Sequence, residues 1–146
     1  SSNMRDRMVA LQAAEVALTA GQEYMESIVV ATDFDDGDNG LYSTNDDVWQ
    51  TLDWDGFVED YVDNGTDTHP VVYVPGVLAE VAAPPMYVIE MGSEIETADD
   101  GIGGVGDGYN ESGGDSGATV FKLTAYGTGS SAHSRAIIQV TYGKQL

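Results

Sequence analysis

Apolar residues recur every three, four or seven positions along the first part of the chain. They are Met4, Met8, Leu11, Ala14, Leu18, Met25 and Ile28. This spacing places them on one face of an amphipathic α-helix of about residues 3–28. We predict that this face packs partly on the protein's own sheet and, near its start, against other helices. We also expect the helix to be truncated, with its first part upstream of residue 1.

The second half of the chain changes to the two-residue alternation that is typical of β-strands. Strands are predicted at residues 71–74, 86–91, 120–126 and 135–142. The positions predicted to face inward on the last two are Phe121, Leu123, Ala125, Ala136, Ile138, Val140 and Tyr142, with Lys122 and Thr124 on the opposite face. Because the turn-forming residues 127–131 separate these two strands, we predict a C-terminal antiparallel hairpin.

Two tracts rich in Gly and Asp separate these elements. Residues 31–70 are acidic but also carry aromatic residues, which favours an ordered loop region over disorder. A second such loop, residues 92–117, is inserted in the sheet region of about residues 71–146. The whole pattern predicts an α+β fold in a single domain of residues 1–146, with the helix covering an antiparallel sheet.

Composition and charge narrow the functional classes. The 146 residues carry a net charge of −20 and no cysteine, which excludes disulfides and thiolate chemistry. Between Met8 and Phe121 stand 24 acidic residues and not one Lys or Arg. Such a field repels phosphate backbones, so we expect no nucleic-acid partner. Cations, basic protein surfaces or a saline habitat fit it better.

The densest acidic segment, residues 33–40, suggests calcium. Calcium takes about six to eight oxygen ligands, and Asp and Asn supply them on a turn-forming backbone. The four candidate ligands are Asp33, Asp35, Asp36 and Asp38. The spacing departs from a helix–loop–helix calcium loop that starts at Asp35. Position three is Gly37, which has no side-chain oxygen, and position twelve is Asp46 instead of Glu. A calcium site and a solvated Asp-rich turn are both open interpretations.

No catalytic constellation is found, and we expect no enzyme and no cofactor other than calcium. The histidines, His69 and His133, lie 64 residues apart, and no serine stands in a nucleophile motif. The run of residues 101–106 matches a dinucleotide fingerprint formally, but acidic and Gly-rich segments flank it instead of a strand and a helix. We interpret Trp49, Trp54 and Tyr61 as residues that fix the first loop to the core, with a partner-binding or glycan-stacking surface as the alternative.

Several segments, in this order, match one family of proteins. The most specific is the helix segment of residues 5–18, and further matches are residues 39–42, residues 85–90 and the hairpin of residues 121–127 and 138–142. The chain resembles the minor pilins of the type IV pilus, of the PilX type. The resemblance implies a pilin-like roll and a non-catalytic part in priming pilus assembly and in the tip complex.

The resemblance also implies partners and a location. The missing upstream helix half would anchor the protein in the inner membrane, with this domain periplasmic before assembly and extracellular in the pilus. Partners would be other minor and major pilins and a tip adhesin, bound through Met4, Arg5, Arg7, Met8 and Leu11. Many pilins close their C-terminal region with a disulfide, so this cysteine-free chain must order its loops through other contacts. Alternatives are a secreted calcium-dependent binding or adhesion module and a type II secretion pseudopilin.

Calorimetric titration distinguishes the two interpretations of the acidic turn. If the four aspartates bind calcium, addition of calcium to chelator-treated protein releases or absorbs heat in a saturable curve below about 1 mM, whereas magnesium gives a weaker one. Absence of heat with millimolar calcium means that the turn is only solvated.

Overall fold

The computed structural model describes residues 2–28, 34, 39–43, 46–64, 71–76, 81–95 and 118–145. Two helices, α1 (Ser2–Ser27) and α2 (Trp54–Asn64), lie on opposite faces of a five-stranded sheet. The strands are β1 (Leu41–Tyr42), β2 (Val72–Tyr73), β3 (Met86–Ile95), β4 (Ala118–Thr128) and β5 (Arg135–Lys144). The predicted α+β plan is therefore confirmed, and α2 is a second helix that was not predicted.

The strand order is β1-β3-β4-β5, and β2 pairs beside β1 on the same edge of β3. The predicted C-terminal hairpin is confirmed, since β4 and β5 pair antiparallel with Leu123 opposite Val140. However, β1 runs parallel to β3, so the sheet is mixed, not purely antiparallel as predicted. Gly40, with a φ of 81°, leads the chain into this pairing, and its carbonyl accepts a hydrogen bond from the Ile89 N–H.

Small residues form the face of α1 that packs on the sheet. They are Ala10, Ala13, Ala14 and Ala17, all fully buried, and they continue into the buried side chains of Met25 and Ile28. The predicted apolar face therefore packs on the sheet only in part, because Met4, Met8 and Leu11, near the start of α1, do not contribute to this packing. These three side chains are 64%, 57% and 45% exposed. Both sets recur at helical spacing, and only the smaller side chains fit where the helix approaches the strand.

Gly127 on β4 and Gly129, which follows the strand, make this approach possible. A Cβ atom built on Gly127 would lie 2.5 Å from the Ala10 carbonyl oxygen and 2.7 Å from the Ala13 carbonyl carbon. One built on Gly129 would lie 2.5 Å from the backbone oxygen of Asp6. These distances are below any normal contact, so the backbones of α1 and β4 touch directly.

Polar contacts fix both ends of α1 to the hairpin. Near the start, the Asp6 Oδ1 accepts hydrogen bonds from the Ser130 N–H and hydroxyl, each 2.7 Å long. The hydroxyls of Ser130 and Ser134 hold the pKa of Asp6 below its ordinary value. At the end, the Lys144 Nζ donates to the carbonyls of Met25 and Glu26, at 2.5 and 3.1 Å. A cation here satisfies carbonyls that the helix leaves without partners.

The opposite face of the sheet is covered by part of the tract that was predicted to be a loop. Within residues 31–70 the structure has β1, a 3-10 turn (Val48–Gln50) and α2. The Asp53 Oδ1 caps α2 by accepting a hydrogen bond from the Gly56 N–H at 3.1 Å. Because this second layer covers β4, Thr124 on that face of the sheet is fully buried. The Thr124 hydroxyl accepts a hydrogen bond from the Gln139 Nε2 at 2.9 Å.

Gly127→Ala is expected to lower the free energy of unfolding by about 2–3 kcal/mol, because the added methyl group collides with the backbone of α1. Gly143→Ala is the matched control, since its Cβ would lie 3.8 Å from its nearest neighbour, Ala118 Cβ. That variant should stay within about 0.5 kcal/mol of the native protein. Urea unfolding followed by circular dichroism measures both. Equal stability of the two variants would contradict the proposed contact.

Candidate interaction surfaces

The residues predicted to bind partners lie together on the first three turns of α1. All five, Met4, Arg5, Arg7, Met8 and Leu11, are exposed. Three of the four large apolar side chains exposed in the described residues belong to this set. Contiguous exposed apolar residues of this kind are typical of protein interaction sites. Their role in binding stays a prediction.

A second feature is an aromatic cluster between α2 and β4. Trp54 stacks on Tyr126 with ring centroids 4.9 Å apart and planes inclined by 6°. The Trp54 Nε1 donates a hydrogen bond to the carbonyl of Trp49 at 3.0 Å. Trp54 is buried, so the prediction that it fixes this tract to the core is confirmed. Its stacked face is not available to a glycan.

An ion pair joins α2 to the edge strand. The Arg135 Nη1 lies 2.5 Å from the Asp55 Oδ1, which also accepts a hydrogen bond from the Tyr126 hydroxyl at 3.2 Å. The hydrogen bond from Arg135 holds the pKa of Asp55 below its ordinary value, while burial raises the pKa of Tyr126. The contact therefore stabilises the attachment of α2 at neutral pH.

Glu90 on β3 holds the 3-10 turn on the sheet. Its side chain is fully buried, and its Oε2 accepts a hydrogen bond from the Val48 N–H at 2.7 Å. Across the sheet it pairs in register with Lys122, whose Nζ forms an ion pair with Asp47. Burial is the main cause that raises the pKa of Glu90. Sequence reasoning missed this residue, because an acid in an alternating strand usually faces solvent.

A groove separates the 3-10 turn from β5. We call it the aromatic groove, a cavity of about 600 Å³ with Trp49, Leu52, Tyr126, Arg135 and Ile137 among its lining residues. Ile137 on β5 is 44% exposed. Exposed and partly buried residues alternate along β5, and the partly buried ones are at the positions predicted to face inward. The groove was not predicted, because it depends on the position of α2.

The candidate calcium ligands, Asp33, Asp35, Asp36 and Asp38, lie outside the described residues. Within the described part of the chain, no group of three or more His, Asp or Glu side chains is placed to hold a metal ion. Calcium binding by the four aspartates stays a prediction.

Comparison with known proteins decides the family. The model of the family described as type IV pilus assembly protein PilX, C-terminal, matches residues 30–144, more than three quarters of the chain. The chain belongs to the PilX family. No curated protein and no solved structure matches it.

PilX membership agrees with the fold, in which an N-terminal helix packs on a mixed sheet that ends in a strand hairpin. The match covers the sheet and both loop tracts but begins after α1. A PilX protein is related to type IV pilus assembly, which implies interaction with other pilins and a place at the pilus. Neither described helix has the length and hydrophobicity to cross a membrane.

Glu90→Gln is expected to stabilise this PilX protein at neutral pH. Because the folded-state pKa of Glu90 is raised above 4.5, its contribution to stability is present below that pH and is lost as the pH rises through the raised pKa. Removing the charge should therefore raise the free energy of unfolding near pH 7.

Urea unfolding at several values from about pH 5 to about pH 8 measures this effect, and the gain should grow with pH. Glu15→Gln, at an exposed position of α1, corrects for the general relief of negative charge. A Glu90→Gln variant that is less stable than native at pH 7 would show that the bond to Val48 and the charge of Lys122 outweigh burial.

Proposed function

We propose that this chain is a minor pilin that takes part in priming type IV pilus assembly and in forming the tip complex, with no catalytic activity of its own. The family match supports a pilus role. The observation that carries the finer proposal is the exposed apolar side of α1, formed by Met4, Met8 and Leu11. A helix that needed only its own sheet would not carry large apolar residues on its solvent side.

The proposed mechanism is helix packing. The alanine face of α1 holds the sheet, and the side with Met4, Met8 and Leu11 buries against helices of neighbouring pilins. Complete burial of a Met or Leu side chain contributes about 1.5–3 kcal/mol, and these side chains have roughly half of that still to gain. Arg5 and Arg7, on the same turns, pair with acidic groups of a partner or with lipid headgroups near the membrane boundary.

The proposal assigns the protein two successive locations. An apolar helix half upstream of α1 anchors it in the inner membrane, with the described domain in the periplasm. After assembly the domain lies on the extracellular pilus, together with other minor and major pilins and a tip adhesin. The sheet and its second layer then face away from the helical centre of the filament.

Two double variants of the full-length protein test the proposal: Met8→Ser with Leu11→Ser, and Arg5→Glu with Arg7→Glu. In a piliated strain that lacks the native gene, each should reduce co-purification of the other minor pilins about tenfold and lower the number of surface pili. The thermal midpoint of the isolated domain should hardly change, since all four side chains are exposed.

Gln12→Ser, an exposed polar position on the same helix, controls for the loss of helix propensity and should leave assembly unchanged. Undiminished co-purification of the minor pilins with both double variants would overturn the proposal. Restoration of secretion but not of pili by the native gene would assign the chain to a type II secretion system instead.

A further inference from the structure

The aromatic groove exists because the second layer stops short of the edge strand. The 3-10 turn and α2 cover β3 and β4, where Glu90, Thr124 and Tyr126 are buried. On the same face of β5, Ile137 and Gln139 are exposed. The step between the covered and uncovered strands has Ile137 as its floor and Trp49 and Leu52 as its wall.

Apolar and polar side chains line the groove together, and the polar ones include carboxylates. Arg135 and Lys122, the two cations on this side of the sheet, already form ion pairs with Asp55 and Asp47. Asp53 also lines the groove, and among the described contacts its side chain accepts a hydrogen bond only from its own helix. Beyond the ion pair of Arg135 lies a second cavity of about 300 Å³, lined partly by Glu59.

We propose that the aromatic groove binds a short basic segment of a partner protein. In the bound state an apolar side chain of that segment rests on Ile137 against Trp49 and Leu52. A Lys or Arg on one side of it pairs with Asp53, and a second one reaches Glu59 across the ion pair. The partner is thus an extended peptide of alternating basic and apolar residues.

Three features favour this occupant. The cavity of about 600 Å³ is of the size that accepts a few side chains, whereas a bare cation would leave its apolar wall uncovered. Asp53 and Glu59 form no ion pair among the described residues, so both repel acidic segments. The net charge of −20 attracts a basic partner and speeds its encounter with this surface.

The inference goes beyond the proposed pilin function and does not depend on it. The groove lies on the sheet face opposite α1. Substitutions of Met8 and Leu11 therefore do not alter it, and the two proposals can fail separately.

A blocked peptide containing Lys-Leu-Lys tests the inference with the isolated domain. The only two tryptophans of the chain, Trp49 and Trp54, both line the groove, so intrinsic fluorescence reports occupancy. We expect a saturable change with a midpoint of about 1 mM, together with NMR shifts of the Ile137 methyl groups. Peptides with Glu-Leu-Glu or Lys-Ser-Lys should bind at least about tenfold more weakly, and added salt should weaken Lys-Leu-Lys.

Two variants locate the binding. Ile137→Ser removes the floor and Asp53→Asn removes a carboxylate charge while keeping a residue that caps α2, and each should weaken Lys-Leu-Lys about fivefold. Thr141→Ala, at an exposed position farther along the same face of β5, and Glu15→Gln, on α1, are the controls that should bind like the native domain.

Three results would overturn the inference. Equal binding of Lys-Ser-Lys would mean that charge alone attracts the peptide, and unchanged binding by both variants would place the site elsewhere. Self-association of the domain that Ile137→Ser abolishes would show that a second copy of the chain, and not a basic partner, occupies the groove.

Discussion

The backbone contact between α1 and β4 determines how the rest of the molecule is arranged. Because Gly127 and Gly129 lack side chains and the facing stripe of α1 is alanine, the helix lies directly on the strand. Hydrogen bonds of Asp6 and Lys144 at the two ends of α1 prevent rotation about this contact. The contact therefore fixes which side of the helix is buried and leaves Met4, Met8 and Leu11 facing outward.

The second face of the sheet is held by polar anchors around an aromatic core. Glu90 binds the 3-10 turn, Lys122 binds Asp47 beside it, and Arg135 binds Asp55 on α2. The chain has no cysteine and so no disulfide to order its loops. These polar contacts order part of residues 31–70 instead. They also bring the carboxylates of Asp47 and Asp55 to the cations on β4 and β5.

Hydrophobic periodicity predicted the bounds of α1 and the C-terminal hairpin, because both are regular elements with clear repeats. It could not select the buried side of α1, where the stripe of alanines and the stripe of Met4, Met8 and Leu11 have the same spacing. Helix α2 was missed because Asp and Gly dominate the composition of its tract, although the Asp53 cap and the spacing of Trp54, Phe57 and Val58 are helical. The parallel pairing of β1 and the burial of Glu90 depend on contacts distant in sequence.

The cations are unevenly placed among the described residues. Lys122, Arg135 and Lys144 each form an ion pair or hydrogen bond within the fold, which leaves Arg5 and Arg7 as the exposed positive charges at the start of α1. The dipole of α1 adds to the positive potential at this end. An acidic surface of a partner is therefore attracted to the start of α1. High ionic strength weakens that attraction.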